Sequence, residues 1–335
     1  MESRQPLFDL GYCYPEKNRS CLKLLRKTED YVALYIFAGV IIGLTMIGNL
    51  FVVISVSHFK QLHTTTNFLI VSLAMADFLI GMFVMPLEFH LKIETCWYFS
   101  ENVCIFYIIY VYFLNLLSII HLVLISVDRY LAICHPFYYN TKMSGTKMWV
   151  AIALCWLLCF FYTLTRVLFT GGVIVTNICA GFCRFYHTNI WYLFNLILTF
   201  ILPSTTIICL YGKVFIIARS HARAIKSMNE HSTDSKTRNI PNSSQRKAAM
   251  TLGIVVIVFL ICWIPVYVFP IAVTSSSVLN YIIVDAFSWI SQINSCMNPF
   301  IYALFYPWFQ QSLKLMLTCK IFKPASSVMN LFVKK

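Results

Sequence analysis

Seven blocks of nearly continuous apolar residues dominate the chain, near 32–57, 67–90, 102–134, 147–168, 189–218, 247–273 and 280–303. Each reaches or exceeds the roughly 20 residues that a helix needs to cross the hydrocarbon layer of a membrane. The pattern predicts an all-α membrane protein, a bundle of seven transmembrane helices with its two termini on opposite sides. Polar residues mark off an amino tail (1–31), a seven-span domain (32–305) and a carboxyl segment (306–335). After Pro307 the run from Trp308 to Leu317 carries apolar residues at helical spacing, which predicts a short amphipathic eighth helix lying along the membrane. The loop at 169–188 is expected to fold back over the bundle, and the polar, basic stretch 220–245 to be mobile or to order on a partner. Inside the seventh block, Pro299 removes one backbone hydrogen bond and predicts a weak point beside Asn298 and Tyr302.

Composition agrees, at 59% hydrophobic and 12% charged residues over 335 positions. The amino tail lacks the apolar core of a signal peptide, so the first span should act as its own insertion signal and Met1 should be retained. Charge orients the bundle, but unevenly. Six basic residues in the amino tail argue for an internal amino terminus, whereas eight between Lys213 and Lys247 and five in the carboxyl tail argue for an external one. The later loops carry more weight, which makes Asn18-Arg19-Ser20 a usable glycosylation sequon at Asn18 and leaves Asn242-Ser243-Ser244 silent. The net charge of +13 is then read as topology plus attraction to acidic membrane lipids, with no nucleic acid as partner.

With that orientation Cys13, Cys21, Cys96, Cys104, Cys179 and Cys183 share the oxidising side, where six cysteines allow 15 full pairings. The cysteines within the spans, Cys134, Cys155, Cys159, Cys209, Cys262 and Cys296, read as small packing residues. Cys319 beside the membrane is read equally as a palmitoylation site or a plain thiol.

Charged groups inside apolar spans are costly, so Asp77 and Asp128 need a reason. Asp128-Arg129-Tyr130 can form an ion pair at a helix end. Asp77 can meet Asn49, Ser118, Asn294, Ser295 and Asn298, either as a hydrogen-bond network or as a site for a sodium ion. Either arrangement would bias a conformational equilibrium.

The ordered set Gly48-Asn49, Leu73-Ala74-Met75-Ala76-Asp77, Asp128-Arg129-Tyr130, Trp156, Pro203, Cys262-Trp263-Ile264-Pro265 and Asn298-Pro299-Phe300-Ile301-Tyr302 resembles the rhodopsin-like G-protein-coupled receptors over nearly the whole chain. Within that class the run from Asn294 through Tyr302 and Tyr306 to Trp308-Phe309 is similar to the fingerprint of trace amine-associated receptors. Phe59 to Thr64, Cys96 to Phe99 and Lys247-Ala248-Ala249 support the same family.

The resemblance implies a small-molecule ligand, a heterotrimeric G protein of stimulatory or olfactory type, a rise in cAMP, a chemosensory role and a place in the plasma membrane. It also implies a Cys104–Cys183 bridge and a second from Cys21 to Cys179, with Cys13 as the alternative to Cys21. Trp263 above Pro265 would sense the ligand, and Ile119, Pro203 and Phe259 would form the packing core beneath it. Arg129 and Tyr302 would line the opened inner cavity, and Phe137 would meet the G protein.

The chain departs from the family where the ligand ammonium is usually held. Seven residues beyond the bridge cysteine stands Val111 instead of an aspartate, and eight before the fifth-span proline stands Asn195 instead of an acid. A seventh-span aromatic position is Gln292. An ammonium buried without a counter-charge would suffer a penalty of several kcal/mol. Glu88 returns to the inward face above Asp77 at about 100° per residue and could bind a cation, pair with Lys92, or be satisfied by a tyrosine or His90. Asp285 is expected at the mouth, solvated. Tyr112, Asn115, Thr199, Tyr267 and Ser288 complete a mixed polar and aromatic pocket. A biogenic amine receptor is the alternative within the class. A channel or transporter is the rival outside it, and no internal repeat supports one. No nucleophile or metal-protease motif points to an enzyme.

Overall fold

The computed structural model describes residues 9–169, 173–174, 179–183, 185–186, 189–231, 243–272, 278–323 and 326–331. Its spans are the helices Thr28–His58, Thr65–Glu94, Glu101–Cys134, Gly145–Phe169, Asn189–His231, Ser243–Ala272 and Val278–Phe305. Six are long and apolar enough to cross a membrane over their described residues. The seventh carries Asp285, Ser288, Ser291, Gln292, Asn294, Ser295 and Asn298 along its length. Their polar faces point into the bundle, which is why the helix can still lie in it. Outward faces are apolar, as at Val32, Ile36, Leu154, Leu158 and Phe161, the surface that acyl chains solvate. Pro307 opens the eighth helix, Pro307–Leu317, whose Trp308, Phe309 and Leu315 are buried against the bundle.

Two spans depart from regular α geometry in the same way. A π turn occupies Ile80–Val84 just before Pro86, and another Ile197–Ile201 just before Pro203. A proline has no N–H to give, and its ring crowds the carbonyl four residues back, so the preceding turn widens. The fifth helix continues past the expected end at 218 to His231, and residues 232–242 of the basic stretch lie outside those described.

The end of the bundle that carries the amino tail, called the tail end below, is roofed. The tail folds as a hairpin, Asp9–Tyr12 pairing antiparallel with Leu22–Leu25, and Val173–Ile174 pairs with Phe185–Tyr186 in the long loop. Cys104 bonds Cys183 and Cys21 bonds Cys179. Cys13, the expected alternative for Cys179, bonds Cys96 instead, because the hairpin turns it toward the connection between the second and third spans. Gly181 shows how closely these pieces approach. Its φ is +99°, and a Cβ there would stand 2.7 Å from that of Cys13, so only glycine fits. Lys23 fastens the hairpin to the second span by a 2.5 Å ion pair with Glu94 and a 3.1 Å hydrogen bond to Tyr98. Partial burial opposes its charge, but these two hydrogen bonds and the Glu94 charge outweigh it and raise the ammonium above its usual range.

Candidate functional site

Beneath the roof the spans leave a cavity of about 430 Å³. It brings together all ten residues that the sequence nominates for the ligand: Glu88, Val111, Tyr112, Asn115, Asn195, Thr199, Trp263, Tyr267, Ser288 and Gln292. A vestibule of about 750 Å³ lies between this cavity and the roof, walled by Cys21, Leu22, Phe182 and Cys183 and sharing Glu88, Tyr107, Tyr112 and Ser288 with the cavity. The prolines explain part of the convergence. The π turns before Pro86 and Pro203 re-aim the tail-end halves of the second and fifth helices, and Glu88 and Asn195 stand on those halves.

Glu88 does not offer a bare carboxylate. Lys92 stands 3.0 Å from one oxygen, and the Tyr107 hydroxyl donates to the other. Lys92 also reaches Asp285 at 3.4 Å and donates to Ser288. Asp285 accepts from the Trp289 ring N–H at 3.3 Å as well, so it is held by partners where a solvated carboxylate is expected. The second and seventh spans place these acids on opposite sides of one ammonium, which draws both in. Asn195 accepts from Tyr162 at 2.7 Å and donates to the Trp191 carbonyl at 2.8 Å.

A charged residue absent from the sequence-based set stands in the wall. Arg166, near the end of the fourth span and 9% exposed, lines the cavity, its guanidinium carbon 4.1 Å from the centre of the Tyr112 ring. The rule that singles out Asp77, that a charge within an apolar span demands a reason, applies equally to Arg166.

The floor is aromatic. Trp263 lies 6.1 Å from Phe259 and 5.9 Å from Tyr267, which stacks on Phe200 at 4.2 Å. Ile119, Pro203 and Phe259 are buried just below, while Pro265 is half-buried about half a turn nearer the tail end, above Trp263 rather than beneath it as expected, because the sixth helix runs from the far end toward the roof. The cavity floor is thereby in contact, through rings, with the packing of the third, fifth and sixth helices.

Deeper still, Asp77 is fully buried, with Asn298 donating to one oxygen at 2.7 Å and Ser118 to the other at 3.4 Å. Asn294 and Ser295 are buried alongside. This is the network arrangement, and its carboxylate and hydroxyl oxygens are also the hard donors that suit a monovalent cation.

Next to it the seventh helix is completed from outside itself. Pro299 cannot donate to the carbonyl of Ser295, four residues back, and in a membrane interior an unsatisfied carbonyl costs several kcal/mol. Asn49 donates to that carbonyl at 3.0 Å, and to the Thr45 carbonyl at 2.9 Å. Gly48 makes the approach feasible, since a Cβ there would meet Pro299 at 2.9 Å.

At the far end Asp128 and Arg129 are 2% and 7% exposed and paired at 2.6 Å. Asp128 also accepts from Thr66 and Tyr139, each at 2.7 Å, and Arg129 donates to Thr66. Burial first, and then the charge of Asp128, push the Tyr139 phenol above its usual range, which keeps it protonated and donating. Tyr130 is half-buried beside His135, and Tyr302 is 1% exposed among Tyr306 and Phe309. Phe137, on the short helix Pro136–Lys142, is 88% exposed at that end, as an apolar residue that docks on a partner would be.

The sequence that builds this site also matches known proteins. Residues 48–302 match the family model for the 7 transmembrane receptors of the rhodopsin family. The chain is 37% identical over 328 residues to trace amine-associated receptor 13c of Danio rerio, covering 96% of each chain. It is 37% identical to human trace amine-associated receptor 6 over 335 residues, with 96% of this chain and 95% of that one covered. Against mouse trace amine-associated receptor 9 the figure is 37% over 344 residues, with 98% and 97% covered. The chain belongs to the trace amine-associated receptor family. As a member of that family it is a multi-pass G-protein-coupled receptor, and its partners are a ligand and a heterotrimeric G protein. It is a receptor rather than an enzyme.

Proposed function

We propose that this trace amine-associated receptor is a chemosensory, olfactory-type receptor of the plasma membrane, with its amino tail outside, that binds a small molecule and raises cAMP through a stimulatory G protein. The observation that carries the reading is the single cavity that gathers ligand-facing residues from the second to the seventh span directly above Trp263. Asn18 is exposed in the turn of the roof hairpin, where an external tail would carry its glycan. The names of the relatives attach trace amines to those proteins. In this chain Val111 and Asn195 supply no charge for an ammonium, and Glu88 is already held by Lys92 and Tyr107. A cell-based cAMP screen of small amines, acids and neutral odorants tests the coupling. Phe137→Ala is expected to cut the response about tenfold or more while ligand binding persists, as removal of an apolar anchor from an interface does. A ligand-dependent fall in cAMP would sink the stimulatory assignment.

We further propose that the Asp77 group holds sodium in the resting receptor, with Ser118, Asn294, Ser295 and Asn298 around it. Replacing sodium by N-methylglucamine is expected to raise basal nucleotide exchange in the wild type and to leave Asp77→Asn unchanged. Equal responses in both proteins would leave the hydrogen-bond network as the whole role of Asp77.

A further inference from the structure

We infer that the cavity reads an uncharged ligand, an aromatic body bearing a hydroxyl or a carboxamide, through the side-chain amides of Gln292 and Asn115. The inference rests on the receptor reading of the same cavity and names its ligand class. Gln292 lines the cavity and is 5% exposed, yet among the described residues no hydrogen bond reaches either end of its amide. Asn115, half-buried in the third-span wall of the cavity, is unpaired in the same way. An amide that is buried without a partner forfeits the water it gave up, so each such group calls for a partner that enters the cavity. Neighbouring polar groups of the lining are already engaged. Asn195 bonds Tyr162 and the Trp191 carbonyl, Thr199 donates to the Asn195 carbonyl, and Ser291 donates to the Ser288 carbonyl.

Charge points the same way. Among the described residues lining the cavity and the vestibule stand two acids, Glu88 and Asp285, and two bases, Lys92 and Arg166, whose formal charges sum to zero. All four are engaged within the protein. Lys92 lies between the acids, at 3.0 Å from Glu88 and 3.4 Å from Asp285, and Arg166 has its own partners, the Tyr112 ring among them. An ammonium or a carboxylate that enters such balanced walls loses its water and meets no unspent counter-charge, which costs far more than the same step costs a neutral hydroxyl or amide. Each side-chain amide offers N–H donors and a carbonyl acceptor, so the pair suits a ligand group that both donates and accepts. Phe200, Trp263 and Tyr267 supply the ring surface for an aromatic body, and the volume of about 430 Å³ lies in the range of small-molecule sites.

The test uses the full-length receptor purified in lipid nanodiscs and two pairs of probes matched in shape, phenylacetamide with phenylacetate and 2-phenylethanol with 2-phenylethylamine. Thermal shift reads binding, and nucleotide exchange reads coupling. In each pair the neutral member is expected to bind about tenfold or more tighter than its charged counterpart. Gln292→Leu and Asn115→Leu should each weaken phenylacetamide about tenfold, the effect of one lost hydrogen bond. Neither should lower the melting temperature of the empty receptor, because no partner within the chain is lost; a purely structural amide would show the reverse. Val111→Asp leaves both amides in place and adds an unbalanced carboxylate, which should turn the second pair in favour of 2-phenylethylamine. The inference is overturned if a charged member matches its neutral counterpart in the wild type, if neither neutral probe binds, or if both leucine variants bind phenylacetamide unchanged. Neutral binding without stimulated exchange would keep the ligand class and sink the coupling reading instead.

Discussion

Asp128→Ala is expected to lower the melting temperature of the receptor and to raise its ligand-free nucleotide exchange. The carboxylate accepts from Arg129, Thr66 and Tyr139, and both members of the ion pair are buried. Removing one side of such a pair leaves a buried charge uncompensated, at a cost of about 3–5 kcal/mol. The cost falls on the arrangement in which Arg129 is folded back against the second and third helices. An arrangement in which Arg129 faces water or a G protein escapes it. About 3 kcal/mol of differential cost changes the ratio of two states by roughly 100-fold, enough to turn a rare active state into a common one. Thr66→Val removes a single donor from the same group and should act in the same direction by about 1 kcal/mol. Basal exchange in nanodiscs and thermal melts measure both, and an Asp128→Ala protein with wild-type basal exchange would show that this pair does not hold the resting state.

Cys104→Ser and Cys183→Ser are expected to remove most folded, ligand-responsive receptor from the cell surface. The bridge closes a separation of 79 residues, and loss of a loop closure of that size costs about 4 kcal/mol in the chain-entropy account. More is lost than entropy, because Cys183 anchors the loop that carries Cys179, Gly181 and Phe182, all part of the vestibule wall. The double variant Cys13→Ser, Cys96→Ser removes the bridge whose two cysteines line neither chamber, and should spare ligand affinity while lowering stability. Surface staining and thermal melts rank the two. Equal loss of ligand affinity in both would mean that the roof acts as one unit.

The bundle is legible in the sequence because a lipid-facing helix has to be apolar for some twenty residues, and a polar loop interrupts that signal sharply. The cavity is legible because side chains such as Tyr112, Asn115 and Gln292 are out of place in an apolar run. The Cys13–Cys96 bridge is not, since spacing leaves all pairings open until the hairpin Asp9–Tyr12 with Leu22–Leu25 sets where Cys13 points. The π turns leave only a proline as their trace. Asp285 and Glu88 are visible as acids, but their sharing of Lys92 depends on how two helices face each other. Arg166 is a different case. Its signal lies in the sequence as openly as that of Asp77, and it emerges as soon as cations as well as acids are asked to account for their place in a span.

The hydrogen bond from Asn49 to the Ser295 carbonyl makes the hinge of the seventh helix a joint property of two helices. Any swing at Pro299 that moves Ser295 away from Asn49 breaks a bond that no group of the seventh helix can replace. The first span, none of whose residues lines the cavity, would thereby work as a latch, and the strength of that one amide contact would help to set how much ligand it takes to release it.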